Sequence, residues 1–147
     1  MQGELHYLLL KCFRGSHKFI VQETSKISLL PGQPKVLECL RERDGLSPKE
    51  IGTLCGIDKS TMTSLLAKME RQKLVSRTDN REDRRAIHIW LTPQGRVYAD
   101  QVAGICRRAD ELAQRNLTES QQKELLRLLQ IVSDTFEEKI SEEEKRK

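Results

Sequence analysis

The chain has 147 residues, of which 33% are charged and 4% aromatic, with a formal net charge of +4. That length buries a core without disulfides or metal, and the apolar content is too high and too periodic for a disordered chain. The small positive excess names no partner, but its placement matters: Glu137, Glu138 and Glu142 to Glu144 are acidic, so cationic residues gather between Lys59 and Arg85, which favours a polyanion-binding face.

No stretch has the length of a membrane-spanning helix, and Met1-Gln2-Gly3-Glu4 lacks the basic start and apolar core of a signal peptide. The expectation is a cytoplasmic protein with no membrane partner. Cys12, Cys39, Cys55 and Cys106 are scattered without a C-x-x-C pair, so they read as small buried hydrophobes in helical faces.

Leu5, Leu8, Leu9, Cys12, Phe13 and Ile20 predict a first helix from Leu5 to about Ser25, apolar on more than one side. A second helix starts within Leu29 to Pro34, where Pro31 and Pro34 fit only a first turn, and runs to Asp44-Gly45 with Val36, Leu37 and Leu40 inward. Ser47-Pro48-Lys49-Glu50 combines a Ser cap, a first-turn Pro and a Glu three residues after the cap. A short third helix follows, expected to bury Ile51, Leu54 and Cys55 and to end at Gly56. Asp58 caps a fourth helix, where Met62, Leu65, Leu66 and Met69 share one face and Ser60, Thr61, Thr63, Ser64, Lys68 and Arg71 share the other. Two short helices joined by a glycine turn make a helix-turn-helix.

Next comes a polar, arginine-dense segment, then Ile87, Ile89 and Leu91 alternating with His88, Trp90 and Thr92 in the period of a half-covered strand. Helix, strand, charged loop and strand describe a helix followed by a β-wing. Thr92-Pro93 opens a fifth helix with Tyr98, Val102, Ile105, Ala109 and Leu112 near heptad spacing. Thr118 to Gln121 is a capping box for a sixth, with Leu125, Leu128, Leu129, Val132, Phe136 and Ile140 on one face. The terminal helices carry more apolar surface than the small helix-turn-helix covers, which predicts a homodimer.

The second helix of a helix-turn-helix enters the major groove with its N-terminal part leading. Ser60, Thr61, Thr63 and Ser64 occupy that part as candidates for base and phosphate contact, with Lys68 and Arg71 reaching phosphates further along. In the wing, Arg84 and Arg85 suit a narrow minor groove, and Asp83 suits holding an arginine in place. No nucleophile–base pair, phosphate loop or metal-ligand cluster is present, so no catalytic residue, cofactor or metal is assigned. The competing reading is a winged-helix protein-interaction or scaffold module that never binds DNA.

The sequence resembles the MarR family of bacterial transcription regulators. The matching pieces are Leu29-x-x-x-Gln33-x-x-Val36-Leu37, Ser47 to Gly52, Asp58-x-x-Thr61-Met62-Thr63-x-Leu65-Leu66-x-x-Met69-Glu70, and Asp83-Arg84-Arg85-Ala86 through Leu91-Thr92-Pro93-x-Gly95. The resemblance implies a mainly α winged helix-turn-helix over residues 29–92, with 1–28 and 93–147 forming a helical dimerisation region. It implies a dimer on a pseudo-palindromic double-stranded DNA operator, with Arg85 in the minor groove oriented by Asp83. It also implies a repressor released by a small phenolic or lipophilic effector. Two departures stand out. Lys73 occupies a position where relatives usually carry Gly, a cost on the order of 1 kcal/mol if that residue takes positive φ. The cysteine of oxidation-sensing relatives, counted back from Gln33, falls nearer His6 than Cys12, which argues against peroxide sensing by Cys12. His6, His17 and His88 share no ligand-like spacing.

Overall fold

The computed structural model describes residues 3–79 and 86–146. Among these residues six helices and two strands follow one another as α1 (Leu5–Ser25), α2 (Gln33–Glu42), α3 (Pro48–Cys55), α4 (Lys59–Arg71), β1 (Val75–Asp79), β2 (Ile87–Leu91), α5 (Pro93–Gln114) and α6 (Glu119–Lys145). The chain is mainly α with a two-stranded antiparallel ribbon, the winged-helix arrangement expected from sequence. It forms two compact units, Met1–Ala109 and Asp110–Lys147.

In the first unit, a core forms where α2, α3, α4, the ribbon and α5 converge. Val36, Leu37, Leu40, Ile51, Met69, Ile89, Ala99 and Val102 are wholly buried there, with Met62 and Leu66 nearly so. Each Val, Leu, Ile or Met side chain among them contributes roughly 1.5–3 kcal/mol of burial. The ribbon pairs Val75 with Leu91 and Arg77 with Ile89, which puts Ile89 and Leu91 inward and Trp90 outward as the alternation predicts. Leu46 adds a bridge to Ile89, and the Asp44 carboxylate accepts from the amides of Gly45 and Leu91 at 3.1 and 2.9 Å. Buried Gln33 is satisfied on both sides: its Oε1 accepts from Leu30 N at 3.0 Å and its Nε2 donates to Gln72.

The expected seam of α5 is used within this unit: Val102, Ile105 and Ala109 are buried and Tyr98 is half-buried. Two local expectations fail. Leu54 is 64% exposed, because α3 has only eight residues and its Ile51–Gly52 side takes the core position. Cys12 is exposed, because α1 from Leu5 to Lys18 has little of its own unit over it, and the other three cysteines are half-buried.

The second unit holds the last turn of α5, a connection and α6. Thr118 and Gln121 form the predicted capping box, and Gln122 Nε2 donates to the Gln114 and Leu117 carbonyls, both at 3.2 Å. None of the 27 residues of α6 is buried.

Candidate nucleic-acid interface

The presentation of α4 begins at the end of α3. The Ser47 hydroxyl accepts from Glu50 N at 3.2 Å while Glu50 Oε2 accepts from Ser47 N at 2.8 Å, so the start of α3 is fixed by reciprocal bonds. Its end is fixed by Gly56 in the left-handed conformation (φ 64°), a state that costs glycine nothing and lets Ile57 N return to the Gly52 carbonyl at 2.9 Å. Asp58 then caps α4, accepting from Thr61 N at 2.9 Å and from the hydroxyls of Ser60 and Thr61, both at 2.8 Å. These bonds, led by the Thr61 amide, lower the Asp58 pKa to about 2. With the folded-state pKa depressed, the cap contributes fully above the ordinary aspartate range and is lost as pH falls toward 2.

Met62, Leu66 and Met69 point inward, and the six residues singled out on the opposite side, Ser60, Thr61, Thr63, Ser64, Lys68 and Arg71, are all exposed. They are not chemically equivalent. Ser60 and Thr61 spend their protons on Asp58 and Thr63 spends its own on the Lys59 carbonyl at 2.9 Å, so all three face outward as acceptors. The Ser64 hydroxyl has no partner among the described residues. Lys68 and Arg71 likewise form no ion pair among them.

At the other end of α4 the chain reverses through Lys73, whose φ is +58°. Lys73 N donates to Glu70 O and Leu74 N to Met69 O, both at 2.9 Å, the pair of bonds of a Schellman motif. The positive φ expected at this non-glycine is therefore real. The turn delivers the Leu74 carbonyl to the start of α5, where Thr92 N reaches it at 3.1 Å and the Thr92 hydroxyl bonds both Lys73 O (2.6 Å) and Leu74 O (3.1 Å). A Cβ on Gly95 would stand 1.8 Å from that carbonyl oxygen, which gives the glycine of the Leu-Thr-Pro-x-Gly stretch its reason.

The wing leaves this base as β1 and β2, with Asp79 opposite Ile87 at the last described rung. Asp83, Arg84 and Arg85 lie outside the described residues. Arg77 was passed over in the sequence because β1 has only Val75 as an apolar marker. It lies on the Ile89 side of the ribbon and pairs with Glu70 of α4 at 3.3 Å, holding wing to helix. On the other side Trp90 Nε1 donates to the Thr78 hydroxyl at 2.8 Å. His88 Nδ1 sits 2.9 Å from the Gly45 carbonyl, a structural role. Among the described residues no group of three or more His, Cys, Asp or Glu could hold a metal ion, and no helix is long and apolar enough to cross a membrane.

The sequence signature of the MarR family matches residues 29–87, from the connection before α2 to the first residue of β2. The HTH-type transcriptional repressor Rv2887 of Mycobacterium tuberculosis is 30% identical over 94 residues, covering 64% of this chain and 68% of that protein. The chain belongs to the MarR family. This family consists of transcription regulators. The match to the HTH-type transcriptional regulator TtmR of Methylorubrum extorquens is 44% identical over 61 residues, 42% of this chain, but spans only 31% of the relative. Among solved structures, a crystal structure of MarR superposes with a TM-score of 0.86 at 22% identity over 96% of both chains. Rv2887, crystallised in complex with DNA, superposes with a TM-score of 0.73 at 24% identity, covering 89% of this MarR-family chain and 98% of that one.

Proposed function

We propose that the chain is a cytoplasmic, homodimeric, sequence-specific regulator on double-stranded DNA: a repressor that holds a pseudo-palindromic operator until a small phenolic or lipophilic effector releases it. The observation that carries this is the outward face of α4, where hydroxyls from Ser60 to Ser64 and the cations Lys68 and Arg71 stand in solvent opposite buried Met62, Leu66 and Met69. In this reading residues 29–92 bind DNA and residues 1–28 and 93–147 dimerise. Ser60, Thr61 and Thr63, locked as acceptors, read base amino groups, whereas Ser64 is available to donate to a phosphate. Lys68 and Arg71 bind phosphates, and the wing arginines Arg84 and Arg85, the latter steadied by Asp83, serve the minor groove. In this reading the effector enters between α1, α2 and α5, at a cavity of about 130 Å³ where Phe13 stacks on His17 at 5.3 Å beside Ile20 and Val21 and where Lys35 and Glu38 supply the charged lining.

A gel-shift titration on the promoter of the protein's own operon tests the reading. Salt-sensitive binding is expected, and Arg85→Ala weakens it and flattens the dependence of log K on log salt by about one phosphate's worth of released counterion. Absence of salt-sensitive binding favours a scaffold module instead. An unchanged slope and affinity in Arg85→Ala removes the wing from the mechanism.

A further inference from the structure

Asp44 lies in the connection between α2 and α3, and its carboxylate joins that connection to two other elements. Oδ1 accepts from Gly45 N at 3.1 Å and from Leu91 N at 2.9 Å, and Oδ2 accepts from Arg96 Nη2 at 2.8 Å. Leu91 closes β2, and Arg96 stands at the start of α5. Strand residues two apart turn their N–H groups to the same edge. Ile89 uses that edge to bond Leu46 O at 2.8 Å and Gly45 N at 3.0 Å, and Leu91 N finds its acceptor there in the Asp44 side chain rather than in a strand. Gly45 lies under the Trp90 indole, where a Cβ would stand 2.4 Å from the ring, and Trp90 Nε1 crosses to the Thr78 hydroxyl of β1. One carboxylate oxygen therefore holds the root of the wing, at the end of β2 opposite Ile87, and the other ties that root to α5.

We propose that Asp44 is a positioning residue for DNA binding: it seats the wing by holding Gly45 and Leu91, and through Arg96 it makes the wing follow the start of α5. The ion pair itself, 22% exposed at Asp44 and 54% at Arg96, contributes little to stability. Its worth lies in geometry, because Arg96 reaches the same carboxylate that fixes β2, so a shift of α5 is delivered to the wing through one side chain. Asp44 touches no DNA in this scheme, and its charge works against binding. A carboxylate beside a polyanion lowers affinity through the protein's field, so neutralising it would tighten binding if charge were all that mattered. Positioning predicts the opposite sign. The effect on operator affinity rests on the DNA-binding reading proposed above; the hold on the wing root does not.

The test is a set of full-length variants, each titrated on the protein's own promoter by gel shift beside urea denaturation and acrylamide quenching of Trp90, the chain's single tryptophan. Asp44→Asn keeps an acceptor oxygen for Gly45 N and Leu91 N but turns an amide nitrogen, a donor, toward the Arg96 guanidinium, so only the tie to α5 is lost. Arg96→Gln cuts the same tie from the other side, and Asp44→Ala removes all three bonds. Asp44→Asn is expected to weaken operator binding about five- to tenfold with the urea midpoint unchanged. The double variant Asp44→Asn/Arg96→Gln should bind no more weakly than Arg96→Gln alone, since one contact is lost in both. Asp44→Ala weakens binding further and lets acrylamide quench Trp90 more strongly, whereas Asp44→Asn leaves the quenching as in the native chain. Unchanged or tighter binding by Asp44→Asn overturns the tie to α5, and quenching unmoved by Asp44→Ala overturns the hold on the wing root. Should Asp44→Ala fail to fold, the affinity of Asp44→Asn decides. A native chain without salt-sensitive DNA binding would instead defeat the functional reading, while the quenching still decides whether Asp44 holds the wing root.

Discussion

Helices α4 and α6 carry the same kind of sequence pattern and meet opposite fates. In α4, Met62, Leu66 and Met69 are at most 2% exposed; in α6, Leu128, Phe136 and Ile140 stand 47%, 58% and 56% exposed although they recur on one face just as regularly. Periodicity states that a face needs cover and is silent on who supplies it. For α4 the cover lies within 40 residues of sequence, in α2, α3 and the ribbon. For α6 nothing in its own unit is available, and an exposed apolar stripe of that length is what the proposed dimer would cover.

The sharpest way to break this contrast is to remove the uncovered helix. Cutting the chain before Thr118 is expected to abolish the proposed dimer and to leave a poorly folded, aggregation-prone remainder, including an α1 whose Leu5, Leu8, Leu10 and Phe13 are also exposed. Analytical ultracentrifugation beside circular dichroism reads both quantities. A stable, folded monomer would mean that the bare faces of α1 and α6 are simply solvated.

Single truncations within the two faces separate them further. Leu66→Ala removes a side chain 1% exposed and is expected to cost about 2–5 kcal/mol in urea denaturation, through lost transfer energy and the cavity left behind. Leu128→Ala is expected to act on association, raising the dimer dissociation constant and making the melting temperature more dependent on protein concentration. Equal, concentration-independent losses at both positions would place Leu128 inside its own protomer.

What the sequence made legible follows the same division. Caps and breakers are local chemistry, so the boundaries at Ser47, Asp58, Thr92 and Thr118 are readable from a few residues. The inward face of α4 and the alternation of β2 are equally local. Leu54 and Cys12 are not: their exposure depends on whether a non-neighbouring element reaches them, and the pattern of α3 or α1 carries no trace of that. The division of labour among the α4 hydroxyls also escaped, since Ser60 and Thr61 read as free groups until the Asp58 carboxylate is seen holding them.

A smaller change probes the joint that ties the wing base to α5. Gly95→Ala puts a Cβ 1.8 Å from the Leu74 carbonyl oxygen, a backbone atom that also accepts from Thr92 N. The start of α5 must shift, at an expected cost of about 1–3 kcal/mol. Loss of less than that in a denaturant titration would show that α5 docks more loosely than α4.

The smallest expected effect has the opposite sign. Lys73 sits at φ +58° with both Schellman bonds formed, so its left-handed backbone is imposed by the turn that seats Leu74 on Thr92. An L side chain in that region costs about 1–2 kcal/mol, and glycine gives back about 0.5–1 kcal/mol of that through the greater freedom of its unfolded chain. Lys73→Gly should therefore stabilise the fold by roughly 0.5–1 kcal/mol, read as a higher urea midpoint with an unchanged slope. A lower midpoint would mean that the aliphatic stem of Lys73 packs usefully and that the strain is already offset where it arises. If the midpoint rises while the salt slope of DNA binding falls by about one, the cation has been kept at a strained position for the sake of a phosphate.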